Sequence, residues 1–279
     1  TILAENSASG LGGDGYNNSG AVLDPLSDYN AISSNNSFSL GSGLNNQLDV
    51  DVSLEPLAYN YGGFTETHLL ICGSHGINEG HANFPVTFDQ NGIVRDNFPD
   101  IGACEYVPTT FLVLNSNDAG AGSLREKISL SCTGDTIHFD PITNGNPILL
   151  SSELLIDKRI FIYGNGTGLT IISGNNSTRI FSVSQLGNLH LSQLDIKDAF
   201  VAGASGGAIN NVGELQISRC NLHNNICEEY GGAIATTGVL TIDNSNFSYN
   251  QSTVSSGGAI YSDGGHVSMV NSTLNGNYA

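Results

Sequence analysis

The chain of 279 residues is long enough for one large domain or two smaller ones. Its net charge is −18, with only eight lysines and arginines, which excludes the clustered cations that nucleic acids and anionic membrane surfaces require. Thirty-five glycines, 12% charged residues and no tryptophan favour an all-β fold with many polar turns over a helical one.

The first predicted element is the last part of a coil turn, over residues 1–21. Leu3 and Asn6 are three residues apart, as Leu274 and Asn277 are near the other end of the chain, and a glycine-rich bend follows. We therefore expect Thr1 to lie at an open coil end. Residues 22–60 are polar and predict loops around weak strands, such as 48–54.

Residues 61–106 contain three linked motifs: GGFTETHLLICGSHGINEG, FDQNG and DIGACEY. They resemble the closing segment of bacterial surface proteins of the choice-of-anchor Q type, although His75-Gly76 stands where that family usually has Pro-Ala. The resemblance implies that residues 1–106 are the last partial turn and the loop-rich closing segment of a right-handed parallel β-helix. It also implies an extracellular, cell-surface location.

A short linker at 107–110 precedes a stretch that opens a β-helix in the same family, FLVLNSNDAGAGSLREKISLSCTGDTIHFDP at 111–141. Ser123 and Glu126 have the spacing of a capping box, which predicts a short helix over about 124–131. We expect Leu124, Ile128 and Leu130 to cover the open end of the coil, since a bare sheet edge invites uncontrolled pairing. Strands are then predicted at 111–114, 136–139, 148–150, 153–156, 159–163, 169–172 and 180–183.

Regular coil turns are predicted from residue 189, because a Gly-Gly-Ala-Ile signature recurs there. It stands at 206–209, 231–234 and 257–260, with spacings of 25 and 26 residues. Five further columns share this period. They are Leu189, Leu215, Leu240, Val267; Leu191, Ile217, Ile242, Met269; Leu194, Cys220, Ser245, Ser272; Ile196, Leu222, Phe247, Leu274; and Asn225, Asn250, Asn277.

The repeat predicts an all-β solenoid in which short parallel strands stack turn on turn over 111–279. Apolar residues two apart share one face of a strand, and a unit of this length cannot bury that face alone. The asparagine column predicts a ladder of side-chain amides, each donating to one neighbour and accepting from the other. The glycine pairs predict sharp corners.

Catalytic residues are not expected, although parallel β-helices include many pectin-cleaving enzymes. Their hydrolases need carboxylates that converge on one face, and their lyases need a cation and a base. Asp195 and Asp243 have polar or apolar residues rather than acids in register on neighbouring turns, and Arg219 has no carboxylate cluster. A polysaccharide-cleaving or carbohydrate-binding β-helix stays open as the alternative function.

Cofactors are not expected either, apart from calcium held loosely by acidic turns, because no EF-hand loop or calcium-binding nonapeptide repeat occurs. The odd number of cysteines leaves at least one without an intrachain partner: Cys72, Cys104, Cys132, Cys220 and Cys227. Asn-x-Ser/Thr sequons begin at Asn17, Asn35, Asn165, Asn175, Asn176, Asn246, Asn250 and Asn271, and are either glycan sites or turn residues.

The favoured function is a non-catalytic extracellular structural or adhesive solenoid, one unit of a surface filament or of a giant tandem-repeat protein. Thr1, Leu3 and Asn6 at one end and Leu274 and Asn277 at the other are the expected assembly ends, and a head-to-tail contact of this kind forms fibres. Copies of the chain are the expected partners, with surface glycans as a further possibility. A carbohydrate-binding groove would need aromatic residues in one outward column. The sequence does not place them so: Phe200, Tyr230, Phe247, Tyr249 and Tyr261 fall in different columns.

Overall fold

The computed structural model describes residues 2–3, 30–32, 45–48, 50–81 and 87–279. The chain forms two compact units, Thr1–Val107 and Pro108–Ala279. Nearly all regular secondary structure of the described residues is β-strand, and their one α-helix has seven residues.

The first unit contains short strands and loops around a small apolar core. The strands are β1 (Ile2–Leu3), β2 (Ala31–Ile32), β3 (Gln47–Leu48), β4 (Ala58–Tyr59) and β5 (Glu66–Thr67). The first three form a parallel sheet in the order β1-β2-β3, and β4 pairs antiparallel with β5. The buried apolar residues are Ala31, Val52, Leu70, Ile77 and Ile101.

The second unit begins with β6 (Thr110–Val113), α1 (Leu124–Leu130), β7 (Thr136–Phe139) and a 3-10 helix at Pro141–Thr143. It continues with β8 (Ile148–Leu149), β9 (Leu154–Ile156), β10 (Arg159–Tyr163), β11 (Ile171–Ser173), β12 (Phe181–Val183), β13 (Asn188–Ser192), β14 (Asp195–Lys197) and β15 (Phe200–Val201). The last strands are β16 (Ile209–Asn211), β17 (Glu214–Ser218), β18 (Asn221–His223), β19 (Ile226–Cys227), β20 (Ile234–Thr236), β21 (Val239–Asp243), β22 (Asn246–Ser248), β23 (Gln251–Ser252), β24 (Ile260–Ser262), β25 (His266–Val270) and β26 (Thr273–Asn275).

These strands build four parallel sheets along the coil. The large sheet has the order β6-β7-β10-β13-β17-β21-β25, and a second sheet has the order β8-β11-β14-β18-β22-β26. A third sheet has the order β9-β12-β16-β20-β24, and a corner sheet has the order β15-β19-β23. Neighbouring strands in each sheet belong to successive turns, which confirms the predicted parallel β-solenoid.

The observed register matches the columns read from the repeat. Leu215 pairs with Leu240 and Leu240 with Val267 on the large sheet, and Leu222, Phe247 and Leu274 are in register on the second sheet. The Ile217, Ile242, Met269 column is in register in the same way. Each turn therefore buries its apolar side chains against like residues of its neighbours, and one continuous core runs from Val113 to Ala259.

The glycine pairs are required for two different reasons. The first glycine of each pair has a positive φ, 73° at Gly231 and 78° at Gly257. The second has no room for a side chain, since a Cβ on Gly232 would lie 2.2 Å from the carbonyl oxygen of Gly258. The first glycine is therefore required by its left-handed backbone, and the second by the close approach of the next turn.

Two further corners of each turn use left-handed residues that are mostly not glycine. One corner separates the large sheet from the second sheet, at Gln193, Arg219, Asn244 and Asn271, with φ between 48° and 60°. The other precedes the asparagine column, at Asp198, Asn224, Tyr249 and Gly276. Asparagine and aspartate tolerate this conformation, but arginine and tyrosine rarely adopt it, so the stacked turns must stabilise it.

The helix α1 has the predicted N-terminal cap. Ser123 Oγ accepts a hydrogen bond from the backbone N–H of Glu126 at 3.2 Å, and Glu126 Oε2 accepts one from Gly122 N at 2.6 Å. Leu124 and Ile128 are buried in the main core, as expected. Leu130 was expected to cover the coil as well, but this was wrong: its side chain is 53% exposed, because the helix ends there and Leu130 lies outside the buried face.

Candidate functional site

The asparagine column forms a continuous ladder at the corner sheet. Asn225 Nδ2 donates to Asn250 Oδ1 at 2.9 Å, and Asn250 Nδ2 donates to Asn277 Oδ1 at 2.9 Å. The same oxygens accept the backbone N–H groups of Asn225 and Asn250 at 3.1 and 3.0 Å. Each amide thus holds both the backbone and the side chain of the preceding turn.

The second N–H of each ladder amide points back along the coil. Asn225 Nδ2 donates to Ile196 O at 3.1 Å, Asn250 Nδ2 to Leu222 O at 2.9 Å, and Asn277 Nδ2 to Phe247 O at 2.9 Å. Asn225 and Asn250 are fully buried, so these bonds satisfy amides that have lost contact with water. The ladder is therefore a structural device, and each of its members can bind a further turn on its C-terminal side.

A serine column runs beside the ladder at the neighbouring corner. Ser245 Oγ accepts the backbone N–H of Cys220, and Ser272 Oγ accepts the backbone N–H of Ser245, both at 3.1 Å. Each hydroxyl also donates to a carbonyl two residues earlier, to Asp243 O and to Val270 O. Two corners of the last regular turns, from Cys220 to Asn277, are thus fixed by side-chain hydrogen bonds between turns.

The first unit contains the same ladder, which the sequence reading missed. Asn46 Oδ1 accepts both the backbone N–H of Asn30 at 3.0 Å and its Nδ2 at 2.9 Å. Each of these asparagines immediately precedes a short parallel strand, as Asn225 and Asn250 do. The signal was an asparagine followed by two strand residues. It was hidden because the two asparagines are 16 residues apart rather than 25 or 26.

The expected assembly ends are described only in part. Thr1 and Asn6 lie outside the described residues, and for Leu3 the structure describes the strand pairing with Ile32. At the other end, β24, β25 and β26 are each the outermost strand of a sheet in the described chain. The core columns become accessible there, with Val267 38% and Leu274 48% exposed.

A cluster of aromatic side chains lies on the outer face of the large sheet. We call His138, Phe161, Tyr163 and His190 the aromatic platform. The ring centroids of His138 and Tyr163 are 5.5 Å apart, those of Phe161 and His190 5.6 Å, and those of Tyr163 and His190 5.6 Å. The rings of Phe161 and Tyr163 are nearly parallel, with an interplanar angle of 3°.

The sequence reading did not anticipate the platform, because its strands precede the regular repeat. The register pairs His138 with Tyr163 and Phe161 with His190 on adjacent turns, and the alternating residues Ile137, Ile162 and Leu191 point into the core. Of the five aromatic residues considered from sequence, Phe247 is fully buried, and Tyr230 and Tyr261 stack with centroids 4.4 Å apart.

Two effects act on the pKa of the His190 imidazole in the platform. Burial lowers the pKa of His190, while the Asp243 carboxylate acts in the opposite direction and raises it. Asp243 itself accepts a hydrogen bond from Ser218 Oγ at 2.9 Å. Near pH 7 the His190 imidazole is therefore neutral and can both donate and accept hydrogen bonds.

The acidic residues considered for catalysis lie apart from one another in the described coil. Asp195 is buried and accepts from Gly168 N at 2.8 Å, while Asp198 forms an ion pair with Lys197 at 3.3 Å. Asp243 lies on the outer face of the large sheet beside Ser218. Within the described ranges, no group of three or more His, Cys, Asp or Glu side chains is arranged to hold a metal ion.

The first unit holds a buried cluster of acidic side chains. Asp89 accepts the backbone N–H of Asn91, Asp100 accepts that of Asn78 from a distant loop, and Glu105 forms an ion pair with Arg95. Burial raises the pKa of Asp100 to about 7 and also raises that of Glu105. The Glu105 carboxylate adds to the shift of Asp100, and the Asp96 and Asp89 carboxylates add to that of Glu105. The cluster fixes the loops of the DIGACEY segment.

Three cysteines are free thiols in the folded chain: Cys104, Cys220 and Cys227. All three are buried, and burial raises the pKa of Cys220 to about 12. The sequons also differ in accessibility. Asn250 is fully buried in the ladder, whereas Asn175, Asn176 and Asn271 are exposed.

The described helices include none with the length and apolar character needed to cross a bilayer. No protein-family model matches the sequence, and no curated protein matches it significantly.

Proposed function

We propose that the chain is a non-catalytic structural unit of an extracellular β-solenoid, a surface filament or a giant tandem-repeat protein, in which the turns of successive units stack head to tail. The observation that carries this proposal is the uniform stacking of the described turns. Leu240 and Phe247 are fully buried between two turns, and Val267 and Leu274, in register with them on the next turn, are 38% and 48% exposed.

The ladder chemistry supports a further turn on this surface. An amide has two N–H donors, and in Asn225 and Asn250 one donates backwards and the other forwards. The described bond of Asn277 is the backward one, to Phe247 O. A turn with an asparagine or another acceptor at its corner would satisfy the forward donor and cover the apolar residues at the same time.

The first unit supports a copy of the same chain as the partner. Its β1-β2-β3 sheet is parallel and has the same asparagine corner, so it provides coil edges of the kind that the last turn of the second unit could pair with. Such a contact joins two different surfaces and does not close on itself, so repetition builds a filament. The resemblance of the 61–106 and 111–141 motifs to bacterial surface proteins supports the extracellular location.

Self-association of the purified chain tests the proposal. Light scattering and electron microscopy should show oligomers and short filaments whose length grows with protein concentration. A double substitution, Val267→Lys with Leu274→Lys, should abolish them by placing charges on the exposed rung. Ile142→Lys, at a site that is 71% exposed but far from that rung in the coil, is the matched control. Isolated monomers of the wild-type chain at high concentration would overturn the proposal.

A further inference from the structure

We propose that Asp195 and Asn221 bind a calcium ion between two successive turns of the coil. The site lies on the outer face of the second sheet, where the two residues are in register on β14 and β18. It goes beyond the structural role proposed for the chain and does not depend on head-to-tail stacking. The acidic composition led us to expect loosely held calcium, but it named no ligands.

The Asp195 carboxylate contains a buried oxygen atom without a hydrogen-bond donor. The residue is only 9% exposed, and its Oδ2 accepts the backbone N–H of Gly168 at 2.8 Å. Its Oδ1 is also buried and has no hydrogen-bond partner among the described residues. Lys197 lies two residues later on the same strand, but its ammonium group pairs with Asp198 at 3.3 Å. Because a buried carboxylate without a counter-charge is costly, a cation at Oδ1 would stabilise the folded chain.

Asn221 provides a second oxygen atom on the next turn. Its side chain is half-buried and forms no hydrogen bond with the described residues. Burial, and to a smaller extent the Asp195 charge, raise the pKa of the Cys220 thiol, so the carboxylate lies near the turn that contains Asn221. Carboxylate and amide oxygens are both common ligands of calcium. The two side chains can therefore share one ion between the turns.

A chemically equivalent pair on the large sheet bonds directly. Asn188 and Glu214 are also an amide and a carboxylate in register on adjacent turns, and Asn188 Nδ2 donates to Glu214 Oε2 at 2.7 Å. Asp195 and Asn221 form no such bond, although their strands are paired in the same parallel register. The carboxylate and the amide are therefore both available to a common ligand, and the net charge of −18 favours a cation.

The spacing between turns favours calcium over magnesium. Neighbouring strands of a sheet lie about 4.8 Å apart, so oxygen atoms of side chains in register can have a similar separation. An ion midway between two such oxygens is about 2.4 Å from each, which suits calcium at about 2.3–2.6 Å and is too long for magnesium at about 2.0–2.1 Å. Because the site has a single carboxylate, water completes the coordination shell, and we expect a dissociation constant on the order of 10⁻⁴–10⁻³ M.

A purely structural role for Asp195 makes a different prediction for its amide variant. If the carboxylate only holds the loop at Gly168, Asp195→Asn weakens a charge-assisted hydrogen bond and should lower stability with or without calcium. In a cation site, the same substitution removes a buried charge that is unpaired when calcium is absent. The variant should then be at least as stable as the wild type in a chelator and less stable than the wild type in calcium.

Thermal unfolding of the full chain in EGTA, in millimolar calcium chloride and in millimolar magnesium chloride tests the proposal. We expect calcium to raise the unfolding midpoint of the wild type, and magnesium to raise it less. Asp195→Asn should lose the calcium-dependent shift, and Asn221→Asp, which adds a second carboxylate, should enlarge it. The matched control is Asp243→Asn, because the Asp243 carboxylate already accepts a hydrogen bond from Ser218, and this variant should retain the shift.

Either of two results would overturn the proposal: the same midpoint of the wild type in EGTA and in calcium, or an undiminished calcium-dependent shift in Asp195→Asn. An equal response to calcium and magnesium would overturn the choice of ion. Hydrogen exchange at the backbone amide of Gly168, which donates to Asp195, should slow on addition of calcium if the ion binds there. If Asp195→Asn fails to fold, Asn221→Ala removes the other ligand, and a reduced shift is again expected.

Discussion

Asn225 and Asn250 lie one coil turn apart, and Nδ2 of Asn225 is 2.9 Å from Oδ1 of Asn250. Asn30 and Asn46 in the first unit have the same 2.9 Å contact and the same backbone bond to the acceptor oxygen. The two units thus use one corner device, although the intervening loops differ in length. The asparagine corner is therefore a local solution to stacking parallel strands, independent of the regular repeat.

Substitution in the ladder should be costly. Asn250→Ala would leave the backbone N–H and Nδ2 of Asn225 without their acceptor and Leu222 O without its donor, all in a buried corner. At about 1–3 kcal/mol for each unsatisfied buried group, we expect a loss of at least 3 kcal/mol in the free energy of unfolding. Urea denaturation measures it. Asn246→Ala, a half-buried outward position, is the control and should cost less than about 0.5 kcal/mol. Equal effects of the two substitutions would contradict the ladder's importance.

An alanine at a closely packed glycine corner should lower the free energy of unfolding more than an alanine at a glycine that only has a left-handed backbone. Gly264→Ala introduces a Cβ into open space at a φ of 72°, and should cost about 1–2 kcal/mol. Gly232→Ala introduces one 2.2 Å from the carbonyl oxygen of Gly258 on the next turn, and should cost more than about 4 kcal/mol or prevent folding. The same denaturation experiment compares them, and similar midpoints for the two variants would show that the turns can separate easily.

The loops around Asp100 should become less stable as the pH rises. Burial raises the pKa of Asp100 from 3.8 to about 7, so the folded state binds this proton more tightly than the unfolded state. The stabilisation is complete below about pH 4 and is lost as the pH rises through 7, by an amount on the order of 4 kcal/mol.

Hydrogen exchange at the backbone amide of Tyr106, which donates to Asp100, reports this loss locally. After correction for the intrinsic exchange rate, protection should fall from about pH 4 to pH 7, between the ordinary and the raised pKa of Asp100, and level off at higher pH. The isosteric Asp100→Asn variant should show a flatter profile, because its side chain does not titrate. Protection that increases with pH in the wild type would contradict the assignment.

The cap of α1 should make a modest contribution to stability. Ser123→Ala removes the hydroxyl that accepts from Glu126 N, and N-cap substitutions of this kind cost about 1 kcal/mol. Ser129→Ala, at an exposed position of the same helix, should be nearly neutral. The thermal unfolding midpoint of each variant measures the difference. A larger effect at Ser129 would mean that the helix is fixed by other contacts.

The regular part of the coil was predictable because its period is nearly constant. Leu215, Leu240 and Val267 recur with the spacing of one turn, so the strand faces and their register follow from alignment alone. Strands 136–139 and 159–163 were also predicted with their observed bounds, since alternating apolar residues mark them.

Other features depend on which residues become neighbours in space. The platform needs the pairing of Phe161 with His190, which no repeat in the sequence indicates. The left-handed corner at Arg219 could not be inferred, because arginine has no preference for that conformation, and stacking against Gln193 and Asn244 imposes it. The ladder at Asn30 and Asn46 was missed because its loop is shorter than a regular turn.

Each turn contacts only the turns next to it, and this determines how the coil would respond to mechanical load. Hydrogen bonds between parallel strands run along the coil axis, so tension along that axis is shared among all four sheets of a given turn. A pull on the chain end instead loads the outermost strands first, and the coil should peel one turn at a time. The molecule would then lengthen in steps of roughly 25 residues while its remaining turns stay folded.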